Sequence, residues 1–352
     1  MIDAWKTFLL QQGAVYHNDG QSDWPEHFGN PQLERVAARD ADVITDLSSL
    51  TLLRVRGADA KTFLNAQLTN EIDTLDANQH RLAAWCTAQG RMLAVFRVFM
   101  RDGDYCLQLP VSLRDEVIKR LRMFVLRSRV TVECVDTELV RLGISGPSAE
   151  ALVRGAVGQV PPSDDTVVTQ GSITALCLPG VHPRFELIAP LAEAMAIWEA
   201  SESKAVPVGA GIWAWFDILA GLPTVLPPTK EMFVPQMANL ELVGGVNFKK
   251  GCYPGQEIVA RMQYLGKLKQ RMVRAHVSAE APVAGTPVFS PDMPGGQSAG
   301  TVVDAQPSAD GGADLLVVAQ IASVQRGELH LASEVGPLLQ IQPLPYSLDL
   351  PQ

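Results

Sequence analysis

The sequence has no paired cysteines: its five, Cys86, Cys106, Cys134, Cys177 and Cys252, are scattered and form no CxxC. That argues against a disulfide framework and a cysteine zinc site, and fits a reducing cytoplasm. The six histidines form no HExxH or metal-spaced pair, so no metal site is expected. GxSxG elbows, Walker loops and a GxGxxG after a strand are absent. No run of about 18 apolar residues exists, so no membrane span is expected. Within Met1–Gly20, Asp3 and Lys6 interrupt a run too short for a secretory leader. Charged residues make up only 19%, and the net charge is −9. Such a balance disfavours general attraction to nucleic acid or to an anionic membrane, so neither is expected as a direct partner.

What is present is a chain of 352 residues, 47% apolar, long enough for two or three domains. Thr51–Arg56 alternates as a strand, and Asp59 is placed to cap a helix burying Ala60, Phe63, Leu64 and Leu68. Strands are expected at Leu82–Thr87, Met92–Met100 and Tyr105–Leu109. Ser112 is placed to open a helix with Leu113, Val117, Leu121 and Val125 on one face. A strand at Val130–Val135 completes β-α-β-β-β-α-β, close to a ferredoxin-like unit. The pattern recurs through strand Leu139–Ile144, a helix capped by Ser148, strands Ile173–Leu178 and Phe185–Ile188, and a helix with Leu191, Met195 and Trp198. Pro161–Ser172 reads as a loop, and Gly143–Gly146 as a strand–turn junction. From about Arg271, short apolar runs and Gly-rich turns predict an all-β domain.

The densest chemical signal is Asn247-Phe248-Lys249-Lys250-Gly251-Cys252-Tyr253-Pro254-Gly255-Gln256-Glu257, followed by Arg261. Glycines and a proline around one cysteine predict an irregular backbone. Cationic neighbours (Lys249, Lys250, Arg261, Lys267, Lys269, Arg271, Arg274) favour a thiolate, so Cys252 is the candidate functional thiol. A buried inert cysteine, and a merely solvated basic face, are the alternatives. Trp213, Trp215 and Phe216 lie within four positions and cannot share one helix face. They are core, or one lines a pocket for a planar ligand.

The stretch Lys250–Glu257 with Arg261 resembles the signature of the YgfZ family. So do Ala220-Gly221-Leu222-Pro223, Phe233-Val234-Pro235-Gln236, Asn239, Gly244-Gly245 and Phe248 on the approach to it. Upstream, Phe63–Thr69 and Ala88–Met92 resemble the family's first domain, and Pro343–Leu348 its ending. The resemblance implies an α+β, T-protein-like fold: two ferredoxin-like units around a central hole, plus a C-terminal β-barrel. Residues 1–48 and 136–245 would form one discontinuous unit and 49–135 the folate-binding unit. The cysteine loop and linker would occupy 246–270, and the barrel 271–352.

The same resemblance implies tetrahydrofolate, or a derivative, as ligand. Trp213 would stack on it, and Leu50 stands where the family has a second tryptophan. Gln67, Gly90, Arg91, Lys250, Gly251, Gln256, Glu257 and Arg261 are carried over to the site, with Cys252 as its redox-active thiol. Where the related aminomethyltransferase has Gly-Gly-x-x-Asp-Asp, this chain has Gly90-Arg91-Met92-Leu93-Ala94-Val95, so the catalytic acid is absent. The implied function is that of an accessory factor for iron–sulfur proteins, such as radical methylthiotransferases of tRNA, contacted transiently. The alternatives are a one-carbon transferase or demethylase using Glu257 or Asp217, and a non-catalytic folate-sensing module.

Overall fold

The computed structural model describes residues 1–16 and 24–348. Residues 17–20 of the stretch tested for a leader, and 349–352 of the expected C-terminal domain, lie outside the described residues. The chain divides into two compact units. The first comprises Met1–Phe63, Asp73–Arg81 and Arg97–Ala214; the second comprises Leu64–Ile72, Leu82–Phe96 and Trp215–Gln352.

The first unit opens with α1 (Asp3–Gln11), the ribbon β1 (Val15–Tyr16) and β2 (Pro25–His27), α2 (Pro31–Asp40) and β3 (Val43–Asp46). Asn30 starts α2 by accepting the Gln32 and Leu33 N–H groups at 3.1 Å each, with Pro31 in the first turn. Then come β4 (Leu50–Arg56), α3 (Ala60–Gln67), β5 (His80–Cys86), β6 (Met92–Arg101), β7 (Asp104–Pro110), α4 (Arg114–Val125) and β8 (Thr131–Cys134). The β-α-β-β-β-α-β order read from the sequence is therefore the observed one, and these strands form a sheet in the order β5-β6-β7-β4-β8. Elements α3, β5 and β6 begin or end in the second unit.

The repeat continues as β9 (Val140–Ser145), α5 (Ala149–Val157), β10 (Val167–Gln170), β11 (Ile173–Leu178), β12 (Arg184–Ala189), α6 (Leu191–Ser201) and β13 (Val206–Val208). Its sheet order, β10-β11-β12-β9-β3-β13, is the first sheet's order with β3 inserted beside β13. Three strands of this sheet escape the sequence reading for identifiable reasons. β10 follows a Pro/Ser/Asp cluster inside the expected loop 161–172; β13 contains Pro207 at a sheet edge; β3 has four buried residues and no alternation. The expected caps also differ. A 3₁₀ turn at Val111–Leu113 precedes α4, and neither Ser112 nor Ser148 caps through its side chain. Instead the Ser148 N–H donates to Asp42 at 2.7 Å.

A buried ion pair ties the two repeats. Asp136 accepts from Arg141 at 2.9 Å, the Thr51 hydroxyl at 2.7 Å and the Leu52 N–H at 2.9 Å. Burial alone would raise its carboxyl, but the Arg141 charge and these donors outweigh it and hold it below the usual carboxylate range. A depressed acid stabilises the fold above its unfolded pKa of about 3.9, and that stability is lost as pH falls towards the folded value. Asp136→Asn is expected to cost about 3 kcal/mol at pH 7 and to flatten the loss of stability below about pH 4, as read by urea unfolding across pH.

In the second unit, α7 (Ala210–Leu219), which starts in the first, leads through 3₁₀ turns to α8 (Gln256–Tyr264). Strands β14 (Gln270–Val277), β15 (Pro287–Phe289), β16 (Gly300–Pro307) and β17 (Ala313–Gln320) follow, then α9 (Ile321–Arg326), β18 (His330–Leu331) and β19 (Gln340–Gln342). They form an antiparallel sheet, order β18-β15-β16-β17-β14-β19, that curls into a half-barrel over Val273, Ala275, Val302, Leu315 and Val317. Four of the motif residues upstream and at the end meet here. Asn239 donates to Met272 O at 2.8 Å and to the Tyr346 hydroxyl at 3.3 Å. That hydroxyl donates to Gly221 O at 2.7 Å, and Arg271 donates to Gln236 O at 2.8 Å. Their part is to hold the half-barrel to the segment before the cysteine.

Candidate functional site

The cysteine segment is anchored on both sides of the cysteine, at Lys250 before it and at Gly255 and Gln256 after it. Lys250 is buried, and its ammonium donates to Leu68 O at 2.6 Å and to Asn65 O, carbonyls at the C-terminal end of α3. A cation there satisfies orphan carbonyls and complements the helix dipole. It also lies 5.0 Å from the centre of the Tyr253 ring. Gly255 has φ 80°, and a Cβ on it would lie 2.4 Å from Thr87 O and 2.6 Å from the Gly90 Cα. The segment therefore packs backbone to backbone on the Thr87–Arg91 turn, where the Thr87 N–H donates to Arg91 O at 2.8 Å. Around Gly251, by contrast, nothing lies within 4 Å of a would-be Cβ, so close approach is available there.

Helix α8 starts directly after Gly255, which the sequence reading missed because it saw only the turn residues. Gln256 is its first residue and donates to Lys250 O at 3.3 Å; Glu257 and Arg261 are exposed on it. Gln67 accepts from the Trp85 indole at 3.3 Å, and the Arg91 guanidinium donates to Met232 O. Two cations expected to surround the thiol are engaged elsewhere: Lys250 on α3, and Arg271 on Gln236, Asn239 and Glu241. Lys249, Arg261, Lys267 and Lys269 are exposed.

Cys252 is exposed, and the other four cysteines are not. Burial pushes the thiols of Cys86 and Cys106 up to about 12. Burial, with the nearby Asp164 charge, does the same for Cys177, and burial also raises Cys134. None of these four is a thiolate near neutral pH, which leaves Cys252 as the accessible sulfur.

Trp213 and Leu50 belong to the first unit. The Trp213 ring packs on Gly143 in strand β9, where a Cβ would lie 2.5 Å from it; the strand ends at Ser145 and turns at Gly146, the strand–turn junction expected there. The Arg184 guanidinium sits 4.0 Å over the indole and donates to Trp213 O at 3.1 Å. Beside Gly143 in the ladder stands Glu186, fully buried, one oxygen accepting from Gln108 and the other, Oε2, without a hydrogen-bond partner. Burial raises its carboxyl against the pull of Arg97, Gln108, Arg141 and Arg184. His80 Nε2–H donates to Cys177 O at 2.8 Å, and its pKa is lowered to about 3 by burial and the Arg97 charge, so it is neutral. Leu50, half-buried at the start of β4, gives its carbonyl to Arg141 at 2.8 Å.

Nine of the residues carried over as site residues thus lie in one unit: Gln67, Gly90, Arg91, Lys250, Gly251, Cys252, Gln256, Glu257 and Arg261. Trp213 and Leu50 lie in the other, because the division falls inside α7, between Ala214 and Trp215. The neighbouring Trp215 serves the second unit, donating to Asp314 at 2.8 Å. Sequence reasoning missed Arg184 and Glu186. The signal was present in Arg184-Phe185-Glu186-Leu187-Ile188, where two charges at period 2 in a strand put both on one face. That the face is buried could not be read locally. Ala94 and Val95 are buried in β6, so no carboxylate stands there. Among the described residues no cluster of His, Cys, Asp and Glu could hold a metal, and no helix is long and apolar enough to cross a membrane.

The sequence model described as the GCVT N-terminal domain matches residues 6–170. A tRNA-modifying protein YgfZ from Enterobacter sp. (strain 638) is 31% identical over 321 residues, covering 91% of this chain and 98% of that one. Its counterpart from Klebsiella pneumoniae (strain 342) is 30% identical, covering 91% and 97%. Among solved structures, the glycine cleavage system aminomethyltransferase T from Bartonella henselae superposes with a TM-score of 0.79 at 18% identity, covering 96% of each chain. The chain has the α+β fold of that T-protein.

Proposed function

The chain belongs to the YgfZ family of tRNA-modifying proteins, and from that premise we propose that it is a folate-binding accessory factor for assembly or repair of iron–sulfur proteins, through which it affects tRNA modification. The observation that carries this reading is the exposed Cys252, presented on a segment held to backbone on either side of it by Lys250, Gly255 and Gln256. A pinned loop holds a thiol in place for a partner while spending no ordering entropy on contact. One cysteine cannot retain a cluster, which normally takes several thiolates, so the cluster is cargo or client rather than a resident group.

Folate is supported by chemistry in the first unit. Glu186 Oε2 is a buried acceptor to which none of the described residues donates, and a pterin edge offers adjacent N–H groups to such a carboxylate. Trp213 and Arg184, stacked on one another at 4.0 Å, are the flat groups beside it. Tetrahydrofolate would supply one-carbon or reducing chemistry; the residues here would bind and orient it. With Ala94 and Val95 in place of the aspartates, aminomethyl transfer by the T-protein route lacks its acid.

The test is whether the chain restores methylthiolated tRNA in cells lacking their native copy. Restoration by wild type supports the accessory role, and failure at normal protein levels refutes it. Folate binding is tested separately. Glu186→Gln is expected to weaken tetrahydrofolate binding roughly 10-fold to 100-fold by calorimetry, the worth of a charged hydrogen bond. Because burial raises Glu186, the native state keeps its proton above the unfolded pKa of about 4.3, and stability falls as pH rises from there through the folded value. The glutamine variant removes that slope, so its stability at pH 7 does not fall.

A further inference from the structure

We propose that the exposed face of α8, with the basic residues that flank it, is a docking surface for an acidic segment of a partner protein that also carries apolar side chains. The proposal rests on the reading above in one respect, that this partner is the client presented to Cys252. The chain carries −9 overall, yet residues 247–270 hold five cations, Lys249, Lys250, Arg261, Lys267 and Lys269, and a single acid, Glu257. Lys250 is committed to the carbonyls of α3. The other four are exposed, and among the described residues no side chain forms an ion pair or hydrogen bond with any of them. Cations gathered without a counter-charge repel one another, and an acidic partner relieves that repulsion.

The helix between them is unpartnered on one side. It buries Val259 and leaves Ile258, Tyr264 and Leu265 exposed by 37%, 68% and 84%. Positions 258, 261 and 265 recur at three and four residues, which puts Ile258, Arg261 and Leu265 on one stripe. That is the spacing with which a helix face lies against another protein. The Tyr264 ring meets the Phe248 ring edge-on with centroids 6.1 Å apart, so the last turn of α8 and the residue before Lys249 share one surface. Cys252 stands between these two points in the chain, and Gln256 holds the first turn of α8 to Lys250 O. A partner seated on this face therefore meets a fixed helix whose N-terminal end adjoins the accessible thiol.

The mixture of side chains decides the class of partner. Two aliphatic chains and a tyrosine among cations make an apolar centre with a charged rim, the arrangement of protein–protein contacts, where rim charges steer approach and fix register. RNA would use the cations, but Ile258 and Leu265 give a base nothing to stack on, and Tyr264 is one aromatic alone. A bilayer would be met by a nine-residue helix on a chain of negative net charge.

The test compares wild type, Leu265→Ser, and Lys267→Glu with Lys269→Glu, each as the full chain in cells lacking their native copy. Both variants are expected to lower methylthiolated tRNA at least fivefold at equal protein level. Their melting temperature and tetrahydrofolate affinity should match wild type, because all three side chains are exposed. A benzophenone amino acid at position 264 should cross-link in cells to one protein through a peptide rich in Asp and Glu. Lys267→Glu with Lys269→Glu should abolish that adduct, and replacing the peptide's carboxylates by lysine should restore it. An adduct that survives the charge reversal, or one with RNA or lipid, overturns the proposal. So does binding of an unmodified tRNA transcript that the two lysine substitutions abolish. If wild type and both variants restore methylthiolation alike, the docking surface falls and the accessory role stands. If wild type fails to restore it while the charge-swapped adduct forms, the accessory role falls and the docking surface stands.

Discussion

Cys252→Ala is expected to reduce methylthiolated tRNA at least tenfold relative to wild type in cells lacking their native copy, with melting temperature unchanged. The two halves of this result have separate physical grounds. The side chain is exposed, so its truncation removes little buried apolar area and leaves no cavity. The other four thiols are held neutral by burial, so no neighbouring sulfur can substitute as nucleophile or ligand. Cys252→Ser discriminates further: a hydroxyl keeps shape and hydrogen bonding but is neither a soft ligand nor redox-active, so it should behave like alanine. Wild-type levels in either variant would make the thiol dispensable and move the function to the folate residues. The measurement is mass spectrometry of digested tRNA beside immunoblots for equal protein.

Gly255→Ala is expected to destabilise the second unit by roughly 3 kcal/mol or more, the largest effect of a single methyl group considered in this chain. The left-handed φ of 80° alone costs an L-residue about 1–2 kcal/mol. The added Cβ must also fit 2.4 Å from Thr87 O and 2.6 Å from the Gly90 Cα, and these are backbone atoms in a hydrogen-bonded turn that cannot swing aside. Function should fall further than stability, because moving this contact displaces Gln256, Lys250 and with them Cys252. Gly251→Ala is the contrast: φ is not left-handed there and no atom lies within 4 Å, so stability should change by less than about 1 kcal/mol. Urea unfolding of the two variants checks both statements, and equal effects would refute the packing account.

The sequence by itself determined the repeated β-α-β-β-β-α-β order, a strand-rich end in which helix α9 departs from the expected all-β reading, and the motif around Cys252. Each of these is a local signal: periodicity in Thr51–Arg56 and Leu113–Val125, turn residues around Gly103 and Gly311, spacing around Cys252. Tertiary structure decided what is non-local. Strand β3 lies in the second repeat's sheet between β9 and β13, a pairing across about a hundred residues on one side and more on the other. Lys250 looked like a cation for an anion or thiolate, and instead closes the end of α3, whose carbonyls lie more than 180 residues earlier. Glu186 looked like one charge in a strand and became a buried acceptor only once Gly143 and Trp213 packed beside it. The physical reason is common to all three. A side chain's role follows from its desolvation and its partners, and both are set by which segments the fold brings together rather than by its neighbours in the chain.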